Sequence, residues 1–270
     1  MPELPEVETI RRELAPIIGR KVTGVSILRR DIIYPRSPHR WQSLSRRKIT
    51  GIRRRGKYLI IELGRGFKVI FHLRLSGRLI LAPAQSLPHD RLIIHFAKTN
   101  LHFIEPRVLG RAYLLAPDDR PKELAGFFQL GPEPLDREFT IDYLTRILAS
   151  RRAKVKSLLL DQSLIAGLGN IYADEALFDA KISPLRPAGS LNPTEIRRLH
   201  HSIRKILGLG IRFLGTSVSD YQRPDGRRGS FQLYLKVYRR EGLPCLSCGT
   251  KIKRVKVGNR SWRFCPNCQR

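Results

Sequence analysis

Two stretches of the 270-residue sequence carry residue types that do chemistry at a fixed spacing. The first is the N-terminus, Met-Pro-Glu-Leu-Pro-Glu-Val-Glu. A small second residue is the usual condition for removal of Met1, which leaves Pro2 with a free secondary amine. An α-amino group titrates near ~8 where a lysine titrates near ~10.4, so at neutral pH part of it is already nucleophilic. Proline's amine is more basic than other termini, and a basic surrounding field lowers it. Its attack on a sugar C1′ gives an iminium that is cationic without a proton, the electron sink of lysine Schiff-base chemistry. Glu3 supplies an acid beside it, and Glu6 and Glu8 follow. By themselves these residue types also describe an ordinary helix start, with proline in the first turn and acids at the positive end of the dipole.

The second stretch is C-terminal. Cys245-x2-Cys248 and Cys265-x2-Cys268 stand sixteen residues apart, and these are the only cysteines in the chain. Four thiolates at this spacing suit tetrahedral Zn2+ in a closed, structural zinc ribbon. The sequence between them predicts two strands around Gly258-Asn259. Lys251, Lys253, Arg254, Lys256, Arg260 and Arg263 make that hairpin strongly positive. Arg260 falls beside the tip, where a guanidinium can grip a phosphate bidentately.

Two weaker signals lie between. Gly167-Leu168-Gly169-Asn170-Ile171-Tyr172-Ala173 separates two helical patterns, downstream of Arg151, Arg152, Lys154 and Lys156. Glycines there let backbone N–H groups approach a phosphate at a helix start, although a plain helix–turn–helix corner reads the same way. Arg53-Arg54-Arg55-Gly56-Lys57-Tyr58 opens a strand, and in isolation Lys57 reads as a solvated turn lysine. His72, His89, His95 and His102 show no metal-ligand spacing.

The elements that must position these groups are legible in outline. Val7, Ile10, Leu14 and Ile17 predict a helix from Pro5 that stops at Gly19 and ties down the N-terminus. From Val22 to about Ala116, short β-branched and aromatic runs broken by Gly, Pro or Asn predict a β-sandwich or flattened barrel. Residues 117–134 read as a linker. Helical spacing runs from about Glu138 to Leu214, with Asn192 or Thr194 capping a helix from Thr194 to Leu209. A polar loop from Gly215 to Gly229 is a candidate mobile element. No repeat or low-complexity segment interrupts this order.

The formal net charge is +28, from 51 Lys+Arg against 23 Asp+Glu. So large an excess repels itself unless a polyanion binds, and nucleic acid fits better than an anionic membrane. Hydrophobic residues make up 41%, enough for a packed core. The sequence has no long apolar run and no signal peptide at its acidic start, so it predicts a cytoplasmic protein associated with the nucleoid through DNA.

PELPEVE at the start, GKYL in the β region, GLGNIYADE in the helical middle and a terminal CxxC…CxxC closing in CPNCQ together resemble formamidopyrimidine-DNA glycosylase, a bacterial bifunctional repair family. The resemblance runs through the whole chain. Leu4 favours this branch over endonuclease VIII, which typically begins PEGPE. It implies an α+β multidomain fold: an N-terminal β-sandwich with an N-terminal helix (1–130), a helix–two-turn–helix domain (131–235) and a zinc-ribbon hairpin (236–270). It implies one structural zinc on Cys245, Cys248, Cys265 and Cys268, a monomer, and double-stranded DNA with oxidised bases or abasic sites as partner. It implies removal of oxidised purines followed by β,δ-elimination. Pro2 would be the Schiff-base nucleophile, Glu3 the proton donor, Lys57 a β-elimination residue, and Arg260 a δ-elimination and phosphate residue. Asn170, Lys156 and His89 would contact DNA. Such an enzyme extrudes its target base and must fill the hole left in the stack. The family fills it with Met, Arg and Phe; the matching positions here are Leu75, Arg107 and Leu109. Leucine can wedge a base step but does not stack.

Two other readings are compatible with the sequence. The leucines at the filling positions suit an endonuclease VIII-like activity on oxidised pyrimidines. The charge and the zinc hairpin alone would suffice for a non-catalytic damaged-DNA-binding protein. Incision of a lesion duplex separates the second from both enzymes.

Overall fold

The structure, a computed structural model, describes residues 1–83, 85–218 and 221–270. It divides into two compact units, one of residues 1–128 and 213–230, the other of residues 129–212 and 231–270. The 213–230 segment goes with the sheets, and the cysteine module shares a unit with the helices.

In the first unit, a five-stranded sheet has the order β2 (Ile33–Tyr34), β9 (Arg111–Leu115), β5 (Lys68–His72), β4 (Tyr58–Leu63) and β3 (Ile49–Arg55). A four-stranded sheet has the order β1 (Gly24–Ile27), β7 (Asp90–His95), β8 (Asn100–Ile104) and β6 (Arg78–Ala82). The β2–β9 pair is parallel and the other ladders are antiparallel. Leu59, Ile61 and Phe71 from the larger sheet and Leu92, Ile94 and Phe103 from the smaller share one buried core. Phe71 and Phe103 meet edge to face at 5.3 Å across it. Alternate residues point inward because side chains in a strand alternate between faces. Strand β3 hides behind its arginines: Ile49 and Ile52 are buried, whereas Arg53 stays exposed and Arg54 reaches Glu8 at 3.2 Å.

Helix α1 (Leu4–Glu13) lays Val7 and Ile10 into the same core. It is shorter than its apolar spacing predicts. Pro16 has no N–H to continue the helix, and Ala15–Ile17 form a 3-10 turn before Gly19 takes a φ of 87°. Two short helices, α2 (Pro38–Gln42) and α3 (Ala125–Phe128), complete the unit. The expected linker at 117–134 thus contains helical turns.

The second unit contains α4 (Ile141–Leu148), α5 (Val155–Leu159), α6 (Asn170–Asp179) and α7 (Pro193–Arg212). Asn192 caps α7 reciprocally with Glu195: each backbone N–H donates to the other's side chain at 2.9 Å. Strands β10 (Lys253–Val257) and β11 (Arg260–Phe264) form the hairpin, with Gly258 supplying the positive φ of 55° its two-residue turn needs. Among the described residues, no helix is long and apolar enough to cross a membrane.

Candidate active site

The N-terminus is held, not frayed. Pro2 is buried, and Glu3 caps α1 in a reciprocal box in which the Glu3 N–H donates to Glu6 Oε2 at 2.8 Å. One turn on, burial pushes the Glu8 carboxyl up, but Arg11, Arg12 and Arg54 more than offset this and bring it to about 2. Met1 lines a cavity of about 840 Å3 together with Arg74, Leu75, Leu109, Arg111 and Tyr113. The structure therefore brings the N-terminal residue and the two predicted filling leucines to one hollow of the first unit.

Lys57 is buried at the turn between β3 and β4. Its neighbour Tyr58 pairs with His72 across the β4–β5 ladder, and their rings lie 4.4 Å apart. Burial, with Arg74 and Lys57 adding positive charge, holds the His72 imidazole down to about 3. His72 thus stands neutral beside two cations. His102 is fully buried and bonds Asp90 at 2.9 Å, so that histidine is a core group. Leu75, His89, Arg107 and Leu109 are exposed, each on a loop at a strand end.

The 213–230 segment is tied at its base. The Thr216 N–H donates to Glu6 Oε1 at 2.7 Å, Arg223 Nε to Glu13 Oε1 at 2.7 Å, and the Ser230 N–H to the Phe213 carbonyl at 2.9 Å. Gly215 has a φ of 82°, and a Cβ there would stand 2.9 Å from Glu6 Cγ. The loop expected to be mobile is therefore anchored along α1; its positions 219 and 220 lie outside the described residues.

In the second unit, Asn170 opens α6 and accepts from Lys156 Nζ at 2.7 Å. Its amide nitrogen donates to the Ser261 carbonyl at 3.1 Å, the residue after Arg260. Lys156 has no exposed surface; it also bonds Asp174 and lies 5.2 Å from the Trp262 ring centroid. Its ammonium is thus occupied inside the unit by Asn170 and Asp174. It stands behind Asn170 and orients it. Burial pushes the Asp174 carboxyl up, against the pull of Lys156. Arg260 is exposed beside the hairpin turn.

The four cysteine sulfurs lie within 4.8 Å of one another, with Cys245–Cys268 at 3.9 Å and Cys248–Cys265 at 3.5 Å. A tetrahedron with Zn–S bonds of ~2.3 Å has edges of about 3.8 Å. The donor set and its spacing fit one zinc, which would hold both knuckles and so set the hairpin.

Three buried carboxylates went unread in the sequence. Glu105 is fully buried beneath the exposed loops. Glu175 accepts from the backbone N–H groups of Lys236, Val237 and Tyr238 at 2.8, 3.0 and 2.8 Å, fixing the approach to the cysteine module. Asp174 also accepts from the Arg263 N–H at 3.3 Å. Each has a partner distant in sequence (Ser76 for Glu105, residues 236–238 for Glu175, Arg263 for Asp174), which no local spacing announces.

Three family models match. The formamidopyrimidine-DNA glycosylase N-terminal domain covers residues 1–112, the H2TH domain of the same family 130–222, and the zinc finger found in FPG and IleRS 242–270. Formamidopyrimidine-DNA glycosylase of Pelotomaculum thermopropionicum is 47% identical over all of this chain and 99% of its own length. That of Desulforamulus reducens is 44% identical over the same shares. The crystal structure of the MutM (Fpg) protein from Thermus thermophilus superposes with a TM-score of 0.91 at 39% identity, covering 99% of this chain and 98% of that one. A Lactococcus lactis Fpg bound to DNA containing an abasic site gives 0.90 at 38% identity over 99% of both chains. Full-length identity, domain order and the four-sulfur cluster agree, and the chain belongs to the formamidopyrimidine-DNA glycosylase family.

Proposed function

We propose that this DNA glycosylase removes oxidised purines, 8-oxoguanine and formamidopyrimidines, from duplex DNA through a Schiff base on Pro2. The single observation that carries the reading is the 840 Å3 hollow lined by Leu75, Leu109 and Met1, the residue whose removal would free the Pro2 nitrogen beside it. A nucleophile that must reach the sugar of an extruded nucleotide needs to stand next to whatever fills the vacated stack.

With Met1 removed, the Pro2 nitrogen attacks C1′ and the C1′–N bond to the base breaks, with Glu3 delivering the proton that opens the sugar. The nitrogen keeps the sugar carbon as an iminium. Loss of a C2′ proton then expels the 3′ phosphate, the step assigned to Lys57, and a second elimination expels the 5′ phosphate, with Arg260 on the phosphate. Asn170 contacts the backbone and Lys156 orients Asn170. His89 and Arg107 contact DNA, and the base step is wedged by Leu75 and Leu109. The residues that would hold zinc flank the hairpin that carries Arg260, and the metal's contribution there would be structural.

Borohydride trapping on an 8-oxoguanine duplex tests this. A covalent adduct with the wild type that is lost in Pro2→Gly is expected; an undiminished adduct in that variant removes Pro2 from the role. A second reading, action on oxidised pyrimidines, is favoured by Leu75 and Leu109, which replace the family's Met and Phe. A Lactococcus lactis Fpg of TM-score 0.90 has been crystallised with oxidised-pyrimidine DNA. A stronger rate on thymine glycol than on 8-oxoguanine would establish that reading instead.

A further inference from the structure

The residues proposed to enter the DNA sit on three loops of the first unit: Leu75 after β5, His89 before β7, and Arg107 with Leu109 after β8. Exposed loops of this kind are ordinarily the soft parts of a fold. These three converge on one buried residue. Glu105 follows β8 directly and has no exposed surface. Its Oε1 accepts from the Ser76 hydroxyl and from the Arg107 N–H, the latter at 3.1 Å. Its Oε2 accepts from the Gly110 N–H at 2.8 Å. Its own N–H donates to the His89 carbonyl at 3.0 Å. One residue therefore bonds to all three loops.

Each loop also contains a non-glycine residue in the left-handed region: Arg74 at φ 52°, His89 at 66° and Val108 at 59°. That conformation is unfavourable for a side chain bearing a Cβ, most of all for β-branched Val108, and persists only where surrounding contacts impose it. Val108 lies between Arg107 and Leu109, and its backbone reversal separates the two exposed side chains. The contacts that impose it are the Glu105 bonds to Arg107 and Gly110 on either side. Gly110 is shaped to the carboxylate: a Cβ there would stand 2.7 Å from Glu105 Oε2 and 2.9 Å from Phe103 Cζ.

We infer that Glu105 is the positioning residue of the DNA-filling apparatus, its carboxylate holding the Leu75 and Arg107–Leu109 loops and its backbone N–H the His89 loop in the one arrangement that presents them together. This rests on the reading that those loops enter DNA. The Arg107 N–H on one oxygen and the Gly110 N–H on the other can only donate, so only an acceptor on both oxygens satisfies them. Glutamine has nearly the same shape but must turn an NH2 group against the Arg107 N–H or against the Gly110 N–H, which leaves a buried donor facing a donor.

The test separates filling from chemistry. A duplex with a tetrahydrofuran abasic analogue opposite 2-aminopurine reports insertion by fluorescence and has no base to remove. A single-stranded abasic oligonucleotide reports β-elimination and has no stack to fill. In Glu105→Gln the 2-aminopurine response and kcat/KM on an 8-oxoguanine duplex should each fall at least tenfold, with single-strand elimination within twofold of wild type. Glu105→Asp, which keeps two acceptor oxygens, should recover part of the loss. Ser76→Ala, which removes one donor and leaves the carboxylate, should shift the same ratio severalfold and serves if the glutamine variant does not fold. Equal losses on both substrates would make Glu105 a general fold residue, and an unchanged fluorescence response would remove it from loop positioning. The fluorescence reads Glu105 whether or not Pro2 reacts. Absence of a trapped adduct in the wild type therefore overturns the Pro2 reading and leaves the Glu105 result standing.

Discussion

The Asn170 side-chain amide donates to the Ser261 carbonyl at 3.1 Å, while its oxygen accepts from Lys156 Nζ at 2.7 Å. One amide thus joins the start of α6 to the strand that begins with Arg260. Asparagine alone among similar residues offers both a donor and an acceptor at that reach. In Asn170→Asp the bond to Ser261 is lost and a negative charge enters a position proposed to contact phosphate. Affinity for an abasic duplex should fall more than tenfold, measured by fluorescence anisotropy at fixed salt.

Lys156 and Asp174 are both fully buried and bonded to each other. Removing one partner of a buried pair strands the other charge and costs about 3–5 kcal/mol. Lys156→Met should lower the unfolding free energy by about that amount in urea titrations, and adding Asp174→Leu should restore much of it. Equal stability of the single variant and the wild type would show that the pair is not buried as described.

His72 gives the protein an acid-sensitive element. Its folded pKa of about 3 lies below the unfolded value of about 6.5. The stability it contributes is full above pH 6.5 and is lost progressively as pH falls toward 3. At pH 5 the loss is about 2 kcal/mol. Urea midpoints at pH 7 and pH 5 for the wild type and His72→Phe measure it: the phenyl ring keeps the contact with Tyr58, and the pH-dependent drop should shrink by about that amount.

Leu109 is 42% exposed at a position where the family places an aromatic ring. Base–aromatic stacking contributes about 1–3 kcal/mol in single-strand sites. Leu109→Phe should therefore tighten binding to a lesion duplex by roughly tenfold and sharpen the dependence on the opposite base, as read from Kd against the four possible partners.

Zinc removal should act on the hairpin before it acts on the sheets. One zinc per chain is expected by elemental analysis. Chelation, or Cys248→Ser, should abolish duplex binding while the near-UV signal of Trp41, buried in the sheet core, survives. Retention of full DNA affinity after metal loss would contradict a structural role for the four sulfurs.

The features legible in the sequence are those whose determinants sit close together in it. The N-terminal acids and prolines, the paired CxxC ligands, the Gly258-Asn259 turn and the 3.6-residue spacing of Val7, Ile10 and Leu14 each record a local rule of geometry or coordination. The family follows from their joint occurrence in order. What the tertiary structure decided is which long-range partner each polar group takes. Lys156 reads as a surface cation until Asp174, eighteen residues on, meets it in the interior. Glu105 carries no signal in the sequence until Ser76, 29 residues earlier, meets its carboxylate. The 213–230 segment reads as an independent loop until Glu6, 210 residues earlier, takes the Thr216 N–H. The physical reason is that a buried hydrogen bond is specified by the shape of the whole core around it, and one residue's neighbours in the chain hold almost none of that information.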